Sequence, residues 1–106
     1  MKDYRPIFTT AAEIAKDHAL ETHGEDVMKF SCGFAWVKLK VKKNDPIGKE
    51  LEKQGLMQWD DFHKHYYIWI GDYNQSVDHK EEHAKAMAKI LKDRVHENFG
   101  WGSRMD

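Results

Sequence analysis

The stretch at residues 31–43, SCGFAWVKLKVKK, constrains the fold more than any other part of the chain. Its apolar residues recur at every second position, the period of a strand whose two faces differ. Ala35, Val37, Leu39 and Val41 point one way, and Phe34, Trp36, Lys38, Lys40 and Lys42 point the other. The first set is a plain core face. The second begins aromatic and ends basic, so its function depends on what covers it.

A second strand is predicted at 65–70, with Tyr66, Ile68 and Ile70 on one face and Tyr67 and Trp69 on the other. Burying Val37, Leu39, Val41, Ile68 and Ile70 contributes about 1.5–3 kcal/mol each, which makes these two strands the centre of the core. Helices are expected around them. The spacing Thr10–Glu13 is that of a capping box and predicts a helix over 10–22 that stops at Gly24. Pro6 is read as keeping Arg5 extended. The inward stripe of this helix is Ala11, Ile14, Ala15, His18 and Ala19, with Leu20 on the opposite side. Asp45 as N-cap, Pro46 at N1 and Gly55 just past the end predict a short second helix. Residues 56–64 read as irregular. Ser76 caps a long helix over 77–98, with Asp78 favourable near its start. Val77, Ala84, Ala88, Leu91 and Val95 form its inward stripe, and Gly100 is read as its stop. Residues 101–105 alternate like a third, edge strand.

The order is then α-β-α-β-α-(β). The expected fold class is α/β or α+β, a single small domain over 1–106 with a two- to three-stranded sheet packed by helices. Two β-α-β units imply parallel strands where the strands are neighbours. The connection at 55–64 is long enough for another arrangement, so both classes stay open.

A chain of 106 residues supports one modest core, and its 33% charged content fits a globular protein. The net charge of −1 gives no global attraction to nucleic acid. Cys32 is the only cysteine, which rules out an intrachain disulfide and suggests a reducing, cytoplasmic setting. The first residues, MKDYRPIF, lack the apolar region of a signal peptide, and no run is long enough to span a membrane.

Four groups of residues suggest sites. The aromatic–basic face (Phe34, Trp36, Tyr67 and Trp69 with Lys38 and Lys40) could stack bases and neutralise phosphates as open sheets do for single strands. It lacks the local aromatic signature of an RRM. The first helix, with its alanine stripe, suits packing onto large rings, so the face is expected beneath it or beneath a second copy of the chain. A protein partner and a nucleic acid are the alternatives. The second group, His79-Lys80-Glu81-Glu82-His83, matches H-x-x-E-H, and His79 and His83 share a helix face that can hold Zn²⁺. No third ligand is defined, although His63 and His65 could add ligands, and the expected cofactor is none. Third, Cys32 would need a histidine partner to act as a nucleophile. Fourth, Arg104 near the terminal carboxylates could form an anion site.

The segments Cys32-Gly33-Phe34-Ala35-Trp36-Val37, Tyr66-Tyr67, Asn74-Gln75-Ser76 and Ser103-Arg104-Met105-Asp106 together resemble a group of small proteins of tailed bacteriophages. The resemblance covers residues 31–106. It implies no activity, and it departs at Lys80 and His83, where the group has a basic residue and an aromatic, so it implies no zinc site. It does imply a candidate pocket where strand and helix ends meet: Cys32, Gly33, Gln75, Ser76, Ser103, Arg104 and Asp106. By association it implies an accessory protein in the host cytoplasm that binds a protein partner, such as host machinery, without catalysis. The alternatives are a single-stranded nucleic-acid binder on the sheet face and a zinc- or thiol-dependent enzyme.

Overall fold

The computed structural model describes residues 2–24, 33–71 and 76–105. The elements in chain order are α1 (Arg5–His23), β1 (Gly33–Leu39), α2 (Pro46–Lys53), β2 (Gln58–Asp60), β3 (His65–Trp69), α3 (Val77–Arg94) and β4 (Phe99–Met105). The fold is α+β. Its four strands lie in the order β2-β3-β1-β4, and every neighbouring pair is antiparallel. From β1 onward the chain follows β-α-β-β-α-β, the split β-α-β arrangement, with α1 added in front.

This topology explains why parallel pairing does not occur. Each helical crossover joins two strands that have a third strand between them. The link through α2 joins β1 to β2 across β3, and the link through α3 joins β3 to β4 across β1. The fourth strand, β2, falls within the segment expected to be irregular. It is only three residues long and extends the hairpin with β3.

The alternation in β1 holds throughout: Gly33, Ala35, Val37 and Leu39 are buried and the residues between them are half-buried. Val37 lies opposite Ile68 on one side and Trp101 on the other, and Leu39 lies opposite Tyr66 and Phe99. These residues share the helix side of the sheet. Val77, Ala84, Ala88 and Leu91 of α3 are buried there as the stripe requires. The close approach of α2 depends on Gly48, where a Cβ would stand 2.2 Å from the Tyr66 ring. Asp45 caps α2 by accepting from the Ile47 N–H at 3.0 Å, and Gly55 follows with φ 76°, a left-handed backbone that glycine adopts without strain.

Two helix boundaries differ from expectation. α1 starts at Arg5, not at Thr10, because Pro6 occupies the first turn, where a missing N–H costs nothing. Its end at Gly24 (φ 81°) is as read. α3 ends at Arg94, well before Gly100, and Gly100 belongs to β4.

The largest correction concerns α1. Its stripe of Phe8, Ala11, Ala15 and Ala19 is buried, but against α3 and not over the aromatic face. Phe8 meets Phe99 edge-on at 6.2 Å, which fixes α1 on the helix side of the sheet. Two alanine-lined helices can approach closely, which is why one large residue sufficed on this stripe. His18 of α1 and Glu82 of α3 are joined at 2.9 Å across the same interface. Ile14, expected inward, is 52% exposed, and Leu20 is half-buried. All three helices therefore pack on one face of the sheet. Among the described residues no element covers the other.

Candidate functional site

The uncovered face is built by four strands. β1 contributes Phe34, Trp36 and Lys38, and β3 contributes His65, Tyr67 and Trp69. β2 contributes Gln58 and Asp60, and β4 contributes Gly100, Gly102 and Arg104. The two central strands thus carry the aromatics, and the edges carry the polar and small residues. Trp69 is the hub. Phe34, Trp36 and Tyr67 each meet it edge-to-face, with centroids at 5.9, 5.3 and 5.8 Å. Such pairs contribute about 0.5–1.5 kcal/mol beyond area burial and hold the rings in fixed orientations. Trp69 nevertheless remains 51% exposed.

The glycines of β4 set the shape of this surface. A Cβ at Gly102 would stand 2.7 Å from the Trp36 indole, so the ring lies across the bare backbone of the edge strand. The Lys38 side chain lies over Gly100 in the same way, at 3.7 Å from where a Cβ would be. The result is a concavity of about 400 Å³ between Trp36, Tyr67, Trp69 and Arg104 on one side and Asp60, His63 and His65 on the other. A wider groove of about 790 Å³ adjoins it and shares Trp59, Asp61 and His63; Lys40, Lys42, Lys43 and Lys64 line it together with Asp45 and Asp61. β1 ends at Leu39, so Lys40 belongs to this groove and not to the sheet face.

Cations also flank the aromatics at the other end. Arg104 lies over the Phe34 ring at 5.4 Å. Lys80, buried on α3, lies over the same ring at 5.6 Å and donates to the Gly33 carbonyl at 3.1 Å. Burying an ammonium needs such partners. Nothing in the sequence reading singled out Lys80 as one of them.

Asp60, His63 and His65 sit where the β2–β3 hairpin meets the concavity. Asp60 Oδ1 accepts from the Phe62 and His63 N–H groups at 2.9 and 3.2 Å, which closes the turn. Its Oδ2 accepts from His63 Nδ1 at 2.7 Å, and that hydrogen bond holds the Asp60 carboxyl below its ordinary range. Lys64, between the histidines, has φ 58°, and the two imidazoles stack at 5.6 Å and 15°. His65 is buried, and burial pushes its pKa down. Its Nδ1 donates to the Tyr66 carbonyl at 3.2 Å.

The pair His79 and His83 is engaged elsewhere. Ser76 caps α3, and its hydroxyl lies 2.7 Å from His79 Nδ1; His79 Nε2 meets the Gly24 carbonyl at 2.6 Å. Both ring nitrogens of His79 are therefore committed to tying the end of α1 to the start of α3. Glu82 is bound to His18. A zinc ion on this helix face would have to break that tether.

The expected pocket at the strand ends is only partly assembled. Cys32, Gln75 and Asp106 lie outside the described residues. Gly33 and Ser76 are buried, and a Cβ at Gly33 would meet Val77 at 2.8 Å, so the two segments touch. Ser103 and Arg104 point to opposite faces of β4, as neighbours in a strand must. Ser103 donates to Glu81 on the helix side, and Arg104 lies on the open face. Among the described residues of this set, only Arg104 joins the concavity.

Comparison with family models, curated proteins and solved structures gave no match. No helix among the described residues is long and apolar enough to cross a membrane.

Proposed function

We propose that the open face of the sheet binds single-stranded nucleic acid. The observation that carries this reading is the placement of Phe34, Trp36, Tyr67 and Trp69 on the two central strands of a sheet whose helices all lie behind it. An uncovered aromatic patch of this kind marks an interaction site. RRM domains place base-stacking aromatics on the same kind of four-stranded sheet, an analogy of architecture and not of descent. Stacking needs exposed ring faces; Trp69 provides one, with the half-buried Trp36 indole beside it over Gly102. Backbone neutralisation needs cations beside the rings. Lys38 and Arg104 meet that need on the face, and Lys40, Lys42, Lys43 and Lys64 meet it in the adjoining groove. The overall charge of −1 makes the attraction local. Binding should therefore be modest in affinity and steeply salt-dependent.

The test is titration with a single-stranded oligonucleotide at low salt, followed by tryptophan fluorescence. Quenching that weakens with salt, and that a duplex of the same length does not reproduce, supports the proposal. Unchanged fluorescence at low salt overturns it.

A second reading is that the face or its edge binds a protein. It rests on β4, a seven-residue strand at the sheet edge that carries exposed Trp101 and Met105 on the helix side. An edge of that length is a template for strand addition, by a partner protein or a second copy of the chain. A concentration-dependent mass in solution that Trp101→Lys abolishes would favour self-association at this edge.

A further inference from the structure

We propose that Asp60, His63 and His65 bind a divalent transition-metal ion of the zinc class at the rim of the aromatic concavity. The site stands independently of what the aromatic face binds. One ligand atom from each residue lies within 4.8 Å of the other two. Ligand atoms about 2.1 Å from a common ion are about 3.4 Å apart, so side-chain rotation closes the gap without moving backbone.

Of the Asp60 carboxylate, the hairpin turn's backbone N–H groups use only Oδ1. Oδ2 and both imidazoles are surplus to the turn, and they converge. Because a carbonyl can only accept, the bond from His65 Nδ1 to Tyr66 O leaves the lone pair of the neutral ring on Nε2. An imidazole held through one nitrogen by a backbone carbonyl is the arrangement found behind metal-ligating histidines. His63 donates to Asp60 at 2.7 Å, and a metal takes the place of the proton between them. Two imidazoles and a carboxylate suit zinc, and also cobalt, nickel and copper as dications.

Three protein ligands leave one coordination position open, as catalytic zinc sites do and closed structural sites do not. Trp36, Tyr67, Trp69 and Arg104 line the same concavity as the three ligands. Water or an anionic oxygen of a ligand seated in the concavity is the class of group that would complete the shell.

Cobalt(II) is the probe. The metal-free protein is titrated with Co²⁺, and visible absorption is followed. The expected result is saturable absorption at one equivalent with the intensity of a four- or five-coordinate ion, reversed by adding Zn²⁺. His63→Ala and Asp60→Asn should each weaken binding at least about tenfold. The asparagine keeps an Oδ1 acceptor for the turn, so its effect reports the lost ligand and not a lost hairpin. Circular dichroism of each variant checks that the fold is intact. Absence of saturable cobalt absorption in the parent protein overturns the proposal. So does parent-like cobalt affinity in both variants.

Discussion

The Trp36 indole occupies the space that a side chain at Gly102 would need, with a Cβ there only 2.7 Å from the ring. Gly102→Val therefore sets two effects against each other. Strand propensity favours valine by up to about 1 kcal/mol. Overpacking against an indole costs about 1–3 kcal/mol. Overpacking should win, so the urea midpoint falls and the displaced ring binds oligonucleotide more weakly. Gly71→Ala is the control, since a Cβ there meets nothing within 4 Å. A Gly102→Val protein as stable as the parent would show that the ring does not lie on the edge strand.

Stacking and charge on the open face should separate experimentally. Trp69→Ala should weaken oligonucleotide binding by about 1–3 kcal/mol without changing its salt dependence, because it removes one stacked base. Lys38→Gln and Arg104→Gln should each reduce the slope of log affinity against log salt by about 0.7, one phosphate contact on a single strand. Titrations at several salt concentrations distinguish the two patterns. A slope unchanged in both cation variants would place the backbone path elsewhere, in the Lys40–Lys64 groove.

The strand faces were legible because period 2 is local. Ala35, Val37, Leu39, Tyr66 and Ile68 could be assigned to one face from the residues alone, and so could the caps Asp45, Ser76 and Gly55. The position of α1 was not legible. An alanine stripe fits any flat apolar surface, and the choice between the aromatic face and α3 depends on which of them the crossovers leave accessible. β2 was missed because three residues carry no periodicity, and its pairing with β3 comes from the hairpin. Gly100 and Gly102 were visible as a G-x-G alternation in FGWGSR. Reading Gly100 as a helix stop hid their role as the bare floor under Lys38 and Trp36. The spacing of Asp60, His63 and His65 was equally visible, but only the hairpin turn brings the three together.

His79 should behave as a structural tether. It links the Ser76 hydroxyl at the start of α3 to the Gly24 carbonyl at the end of α1. Replacing it by leucine leaves the buried Ser76 hydroxyl short of a partner, at about 1–3 kcal/mol, and returns the exposed Gly24 carbonyl to water. Ser76→Ala removes the cap as well as the bond to the imidazole and should cost about 0.5–2 kcal/mol. Because both substitutions disrupt one network, their effects should add to less than the sum. A denaturant series on the two single variants and the double variant measures this. Strict additivity would mean that the two side chains act separately. Zinc affinity should be the same in the His79→Leu protein as in the parent.

Tyr66 predicts the alkaline limit of stability. Its ring is fully buried against α2 and its hydroxyl donates to the Lys43 carbonyl. Burial raises its pKa above the ordinary value of 10.0. In the unfolded chain the phenol ionises near that ordinary value, whereas in the folded protein it stays protonated to higher pH. Between the two, the folded state holds the extra proton, and stability falls as pH rises. The contribution is thus fully present below pH 10 and is lost as pH climbs toward the folded value. Tyr66→Phe removes the ionisable group and should flatten this part of the stability curve. At neutral pH the variant should be less stable by about 0.5–1.5 kcal/mol for the lost hydrogen bond. The difference between parent and variant should therefore shrink as pH is raised past 10 in parallel denaturation series. A difference that stays constant with pH would mean that the phenol ionises equally readily in both states, and that the Gly48–Tyr66 contact admits water.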